Sequence, residues 1–580
     1  MKLILQYMKR RLGRIGLGML LKQSAALLEL MIPYVMEYLI DDVAHRQQLG
    51  EILLWGGVML LMAFTVRTLN VTANRISVRV AQQCTWELRR DLFRHTLHLS
   101  GHQTDTLGLP SLISRMTSDS YNIQGFIQSS QTVGVRAPIL LLGGMIVTLT
   151  MDTGLASILL VLAPLLLVLV IGISLKGVPM YNEVQVRLDR IVRIMRENIT
   201  GIRVVKALSK EEHERRRYAE ANEAMTRQDR KAGVVMALPG PLMTLVLNIG
   251  LTVVVLVGAR RVNEGLIEPG VILAFLTYFN MILMGVMGLT RIFLLMSKAN
   301  ASANRVREVL DQPEDLALLP ETAETADRSG AAVRFDHVSF GYSIPEGGSA
   351  EDFRLALKDI TLDIAPGGSL GIIGATGCGK TTLVSLLMRF YDPTSGRVFV
   401  DGKDIRCYAL DELRSRFGVV HQNDAIFADS LRENIVFGRE VDDRRLRAAA
   451  ADALAASFIE AYEDGYDHEA AIHGANLSGG QKQRVLISRA LAAKPSVLIL
   501  DDASSALDYR TDAALRRAIR EYYAGTTTVV IAQRVSSIMS LDHILYLEEG
   551  AAVGYGTHEE LMTSCPAYRQ IYEAQMGEGE

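Results

Sequence analysis

The N-terminal half of the chain is built from long charge-free runs separated by stretches dense in arginine. Thr153–Leu175 lies between Asp152 and Lys176, Ala232–Ala259 between Lys231 and Arg260, and Pro269–Thr290 between Glu268 and Arg291. About 20 apolar residues in a helix cross a hydrocarbon core, so each of these runs is long enough. Val133–Met151 is broken only by Arg136, and Ile52–Val66 runs past Arg67 into a polar stretch that still suits a helix. A first run, Ile15–Ile40, carries Lys22, Glu29 and Glu37, tolerable where those side chains face a bundle interior or water. The pattern predicts six membrane spans, at about 15–40, 52–72, 133–151, 153–175, 235–259 and 269–292.

Orientation follows from where basic residues collect. The connections at about 70–130 and 176–231 are long and basic, the second carrying Arg187, Arg190, Arg193, Arg196, Arg203, Lys206, Lys210 and Arg215–Arg217. They are assigned to the cytoplasm, with both termini, and the short connections become external turns. Val184, Leu188, Ile191, Val192 and Met195 recur at three- and four-residue steps, so the long connections are helices continuing out of the membrane. A helix from Leu54 to Leu99 would measure on the order of 70 Å at 1.5 Å per residue, more than twice the hydrocarbon thickness. The basic, amphipathic N-terminus MKLILQYMKRRLGR reads as a membrane-surface helix rather than a cleaved signal.

A second pattern begins after an acidic, proline-containing stretch at 311–330, which has linker composition. From Val333 onward, short β-branched runs alternate with helical segments, the signature of an α/β domain on a mainly parallel sheet. The predicted organisation is a six-helix all-α transmembrane domain with long cytoplasmic extensions (1–310), a linker (311–330) and an α/β domain (331–580). A 49% hydrophobic share across 580 residues agrees with a membrane part. The net charge of −3 removes any whole-chain case for a nucleic-acid-coating protein. Cys84, Cys378, Cys407 and Cys565 stand far apart without a CxxC pair, which indicates neither a disulfide framework nor a zinc site.

The chemistry concentrates in the second domain. Gly374, Gly379, Lys380 and Thr381 fit GxxxxGK[ST], between the strand-like SLGII and the helix-like TLVSLLMRF. In such a P-loop the backbone N–H groups of Gly374, Thr376, Gly377, Cys378 and Gly379, with Thr381 and Thr382 at the helix start, close around phosphates. Lys380 neutralises the β- and γ-phosphates of ATP, and Thr381 can ligate Mg²⁺. VLILD ends in Asp501, which suits the Mg²⁺ shell beside that loop, although a plain buried strand with an acidic end would look the same alone. Ser478, Gly479, Gly480 and Gln481 at a helix start offer a second phosphate-binding surface.

These motifs, with SALD at Ser505–Asp508 and six spans before them, resemble an ATP-binding cassette (ABC) half-transporter of the exporter fold. In that family two cassettes pair head to tail, each ATP held by the P-loop of one and the LSGGQ of the other. The resemblance implies adenine stacking for Tyr342 and Mg²⁺ sensing for Gln422. It implies contact with the opposite cassette for Asp508. Residues 108–123 and 197–211 resemble the two loops whose coupling helices dock on the cassettes. The partners implied are a second half-transporter subunit, the lipid membrane and an amphipathic small molecule.

The chain departs from the family pattern at three places. Asp502 stands where the general base is normally Glu, and Gln533 where His contacts the γ-phosphate. One methylene withdraws a carboxylate by roughly 1.5 Å from water that a base must reach within about 2.6–3.2 Å. Both losses fall on the site of this chain's own P-loop, while LSGGQ and SALD are intact. The sequence is thus similar to the degenerate-site subunit of heterodimeric multidrug exporters, with a homodimer of two slow sites as the alternative. Ile472 and His473 occupy a segment that is usually acidic. The expected activity is ATP-driven export across the cell membrane, with an exporter-fold importer or an ATP-gated regulator as rivals. Met281, Met284 and Met287 suit either an adaptable cavity or ordinary helix packing. Glu29 and Glu37 suit either a cationic substrate or pairing with Arg67, Arg136 or Arg291.

Overall fold

The computed structural model describes residues 1–313, 316–322, 327, 329–342, 354–422 and 425–576. Two compact units emerge, one of residues 1–97 and 110–312, the other of 98–109 and 313–580.

In the first unit six helices are long and apolar enough to cross a membrane. They cover Leu12–Arg46, Leu49–Leu97, Leu109–Met151, Thr153–Thr200, Glu211–Asn263 and Pro269–Leu310, six being the number expected. The second has 49 residues, so it reaches well past the hydrocarbon thickness, as its uninterrupted helix formers require. Where helical hydrogen bonding is disturbed the cause is local. Pro138 has no N–H to donate, and a wider π turn follows at Ile139–Gly143. Leu155, Val254, Phe275 and Phe279 form one apolar centre, and Leu30, Leu140 and Tyr278 another.

The N-terminal helix Lys2–Lys9 is held by polar contacts to the second and sixth helices. Tyr7 donates to Asp91 at 3.0 Å and the terminal ammonium to Asn300 at 2.8 Å, while Arg11, between this helix and the first span, forms a two-point pair with Glu87.

The second unit carries a ten-stranded sheet in the order β5-β4-β1-β2-β10-β9-β3-β8-β7-β6. Its strands are β1 Val333–Gly341, β2 Leu355–Ile364, β3 Ser369–Gly374, β4 Ser395–Val400 and β5 Lys403–Asp404, then β6 Phe417–Val420, β7 Val497–Asp501, β8 Thr527–Ile531, β9 His543–Glu548 and β10 Ala551–Gly556. The expectation of a mainly parallel sheet holds for half of it. Strands β9, β3, β8, β7 and β6 run parallel, whereas β1 pairs antiparallel with β2 and β4. The reason lies in burial. β7 is buried at every position, as a strand covered by helices on both faces must be, while β2 alternates buried and exposed residues. Phe335, Leu362, Ile372, Leu383 and Val529 pack into one core around the sheet, and Leu431, Leu446, Val485 and Leu491 into a second, helical one.

One short helix of the long first connection belongs to this second unit. Gly101–Leu107 is capped by Ser100 and Gln103 in a reciprocal pair of hydrogen bonds. Its Asp105 accepts from the Tyr391 hydroxyl at 2.6 Å, and Gln103 donates to the Pro313 carbonyl at 3.2 Å. Gly101 lies so close that an added Cβ would stand 3.1 Å from the Phe390 carbonyl oxygen. The docking element therefore precedes the 108–123 stretch singled out in the sequence, most of which stays in the membrane unit. Its signal was the Ser-x-x-Gln cap, followed by the turn at Gly108.

Candidate functional site

The phosphate-loop residues lie together between β3 and the helix Lys380–Leu387. Glycine is required there by space as much as by backbone angle. A Cβ on Gly374 would stand 2.1 Å from the Leu547 carbonyl oxygen, and one on Gly379, whose φ is +104°, 2.7 Å from that of Ala356. Cys378, within the loop, is buried. Lys380 Nζ donates to the carbonyls of Gly374 and Ala375, each at 2.8 Å, so the ammonium folds back over the loop it serves.

Asp501 ends β7 and is 2% exposed. Thr381 Oγ1 donates to its Oδ2 at 3.1 Å, which joins the first turn after the loop to the carboxylate expected beside it. Burial, with the neighbouring Asp502, pushes the Asp501 carboxyl above the usual carboxylate range, against the hydrogen bond from Thr381 and the nearby Lys380. A hydroxyl, a carboxylate and a buried setting are the donor set a hard divalent cation takes. Among the described residues no group of three or more His, Cys, Asp or Glu is clustered as a metal site.

Asp502 follows with φ +52°, a left-handed conformation held by its N–H donating to the Ile531 carbonyl at 3.0 Å. That turn brings its side chain to two amides. Gln533 Nε2 donates to Asp502 Oδ2 at 3.0 Å, and Gln422 Nε2 reaches the same oxygen at 3.5 Å. The Gln533 loop is itself braced. Gln575 donates to the Gln533 carbonyl at 2.9 Å and accepts from the Val535 N–H at 2.7 Å.

Tyr342 is 45% exposed, with its hydroxyl 3.0 Å from Thr382 Oγ1. Its ring meets Phe340 at 5.0 Å and Tyr391 at 5.4 Å between centroids, both edge to face. Tyr391 is the residue bonded to Asp105, so the exposed aromatic and the docked helix share one neighbour.

The second glycine-rich motif caps its helix. Ser478 accepts from the Gln481 N–H at 3.3 Å while its own N–H donates to Gln481 Oε1 at 2.8 Å, opening the helix Gly479–Ala492. Asp508 caps the helix Tyr509–Tyr522 through Thr511, whose backbone and side-chain donors hold its carboxyl below the usual range. Gln483, not singled out by its sequence, ties the two motifs. It donates to Ser505 and accepts from the Ala506 N–H, both at 3.0 Å. Ile472 is 69% exposed and His473 adopts φ +56° in the turn before this motif.

The spanning unit settles one open question. Glu29 forms a two-point pair with Arg136, at 2.6 and 3.1 Å, so of the three arginines considered Arg136 takes it. Lys22, read only as tolerated, is buried between Asn70 and Asn74.

Two family models match the chain, an ABC transporter transmembrane region over residues 15–287 and an ABC transporter domain over 357–505. A Bacillus subtilis protein, the uncharacterized ABC transporter ATP-binding protein YfiB, is 33% identical across 97% of this chain and 96% of its own length. The chain belongs to the ABC transporter family. This ABC transporter is also 30% identical to an ATP-dependent lipid A-core flippase of Syntrophus aciditrophicus, over 100% of this chain and 94% of that one. Its fold is that of a bacterial Atm1-family ABC exporter solved with ATP bound, with TM-score 0.81, 24% identity and 99% of both chains covered.

Proposed function

We propose that this ABC transporter is one half of a heterodimeric exporter that carries amphipathic small molecules outward across the cell membrane. Its nucleotide-binding domain and both termini face the cytoplasm. In this reading ATP binding closes two cassettes, coupling helices such as Gly101–Leu107 pass the movement to the spans, and hydrolysis resets them. Tyr342 stacks on adenine, the loop from Gly374 to Thr382 cradles the phosphates, and Lys380 neutralises their charge. Thr381, Gln422 and Asp501 would hold Mg²⁺, which offsets the phosphate charge during phosphoryl transfer.

The observation that carries the asymmetric reading is the bond between Gln533 and Asp502. A base must accept a proton from water, and the Asp502 oxygen already accepts from one amide, with a second near it. Gln533 cannot take a titratable imidazole's part. This chain's own site therefore binds ATP and turns it over slowly, while Ser478, Gly479, Gly480, Gln481 and Asp508 complete the partner's catalytic site. A lipid A-core flippase among the relatives supports an amphipathic substrate.

The test is flux. Inside-out vesicles holding this chain and its partner subunit are expected to accumulate an amphipathic fluorescent substrate only with ATP and Mg²⁺. ATP-dependent loss from such vesicles would identify an importer, and ATP-dependent conductance without accumulation a channel.

A further inference from the structure

A cavity of about 260 Å³ opens among the spanning helices, with Lys22, Asn74, Gln128, Thr132 and Arg136 on one side and Met284 on another. Its volume is roughly nine times the ~30 Å³ that one water occupies in the liquid, enough for a tetrahedral oxyanion and the start of a chain. The charges within it do not balance. Arg136 is neutralised by Glu29, but Lys22, 6% exposed, has only the side-chain oxygens of Asn70 at 2.6 Å and Asn74 at 3.1 Å.

An ammonium has three N–H donors, and two are used, so one is left without a partner among the described residues. Two amide oxygens solvate the charge without cancelling it. Isolated charges within membrane spans are costly, and they mark substrate or ion pathways. The structure assigns an occupant of opposite sign. We propose that Lys22, helped by Arg136, Thr132 and Gln128, binds the anionic group of an amphipathic substrate, a phosphate, sulfate or carboxylate, while the hydrocarbon chain lies along Met284. This inference rests on the exporter reading and narrows its substrate class to acidic amphipaths. It also differs in polarity from the cationic substrate considered from the sequence, one of whose two carboxylates, Glu29, is held by Arg136.

The test measures ATPase stimulation of the assembled transporter in nanodiscs of neutral lipid, with dodecyl phosphate and dodecyltrimethylammonium as probes of opposite charge. Inorganic phosphate serves as the chain-free control. Dodecyl phosphate is expected to stimulate, and its half-stimulating concentration to rise about tenfold in Lys22→Gln, equivalent to ~1.4 kcal/mol. Lys22→Arg keeps the response, dodecyltrimethylammonium is indifferent to both variants, and inorganic phosphate does not substitute.

Where Lys22→Gln fails to assemble, Asn74→Asp neutralises the ammonium in place and carries the same expectation. An unchanged dodecyl phosphate response in the variant, an equal shift for both probes, or full replacement by inorganic phosphate overturns the proposal. Absence of stimulation by either amphipath would instead overturn the exporter reading beneath it.

Discussion

Gln533 donates its side-chain amide to Asp502 at 3.0 Å, so the two residues that depart from the family's catalytic pair are bonded to each other. A shortened carboxylate and an uncharged amide form a matched unit. Restoring one alone leaves the other half of the pair unchanged.

The pair therefore makes a prediction about non-additivity. With the partner's catalytic Glu changed to Gln, so that only this chain's site contributes, Asp502→Glu with Gln533→His is expected to raise turnover at least tenfold. General-base catalysis spans about 10²–10⁴, which leaves room for that gain. Each single change is expected to recover much less than half of it on a logarithmic scale. Steady-state ATPase assays of the four combinations give the coupling directly.

Asymmetry between the two phosphate-binding surfaces gives a second expectation. Ser478→Arg places a bulky cation at the exposed start of the helix Gly479–Ala492, in the surface that the proposal lends to the partner. It is expected to lower ATPase of the complex by about 10²-fold, the scale of losing an oxyanion donor. Lys380→Ala, at the site that the proposal holds to be slow, is expected to weaken nucleotide binding to this chain and cost less than tenfold in turnover. Equal losses would mean that both sites work.

The hydrogen bond from Tyr391 to Asp105 predicts a loss of communication rather than of chemistry. Burial, and after it the Asp105 carboxylate, raise the phenol's pKa, so it stays protonated and donating. Tyr391→Phe removes a bond to a charged group, worth about 1.5–3 kcal/mol. Substrate stimulation of ATPase is expected to fall while nucleotide affinity stays within twofold. A double-mutant cycle with Asp105→Asn should show the two effects are not additive.

Burial of Asp501 gives a pH dependence whose sign can be worked out. A carboxyl raised in the folded state penalises folding above that pKa, and the penalty is relieved as pH falls through it. Asp501→Asn is therefore expected to raise the melting temperature of the nucleotide-free protein at pH 8, and to lose this advantage on acidification. The same substitution is expected to remove the extra stabilisation given by Mg²⁺ with ATP over ATP alone. Thermal unfolding at pH 8 and pH 5, with and without Mg²⁺, checks both.

Much of this was legible beforehand for physical reasons. Spans such as Thr153–Leu175 announce themselves because lipid tolerates no unpaired charge, and Gly374 and Gly379 because no larger residue fits. Contacts between distant positions were not legible. Nothing in the sequence ties Gln483 to Ser505, or tells Glu29 to choose Arg136 over Arg67 or Arg291. Lys22 read as a nuisance within an apolar run until Asn70 and Asn74, more than forty positions away, came beside it. The docked helix was placed too late in the chain because its marker, the Ser100 cap, is a local signal common to many surface helices. The antiparallel half of the sheet was missed because alternation in β2 is visible only once its faces are known.

The central claim is that turnover belongs to the partner's site while this chain's own site holds ATP. ATPase activity of the purified complex, with the partner's catalytic Glu changed to Gln, tests it most directly. The account predicts activity near background, and a negligible further effect of Asp502→Asn. Activity close to that of the unmodified complex, abolished by Asp502→Asn, would contradict it and make Asp502 a working base.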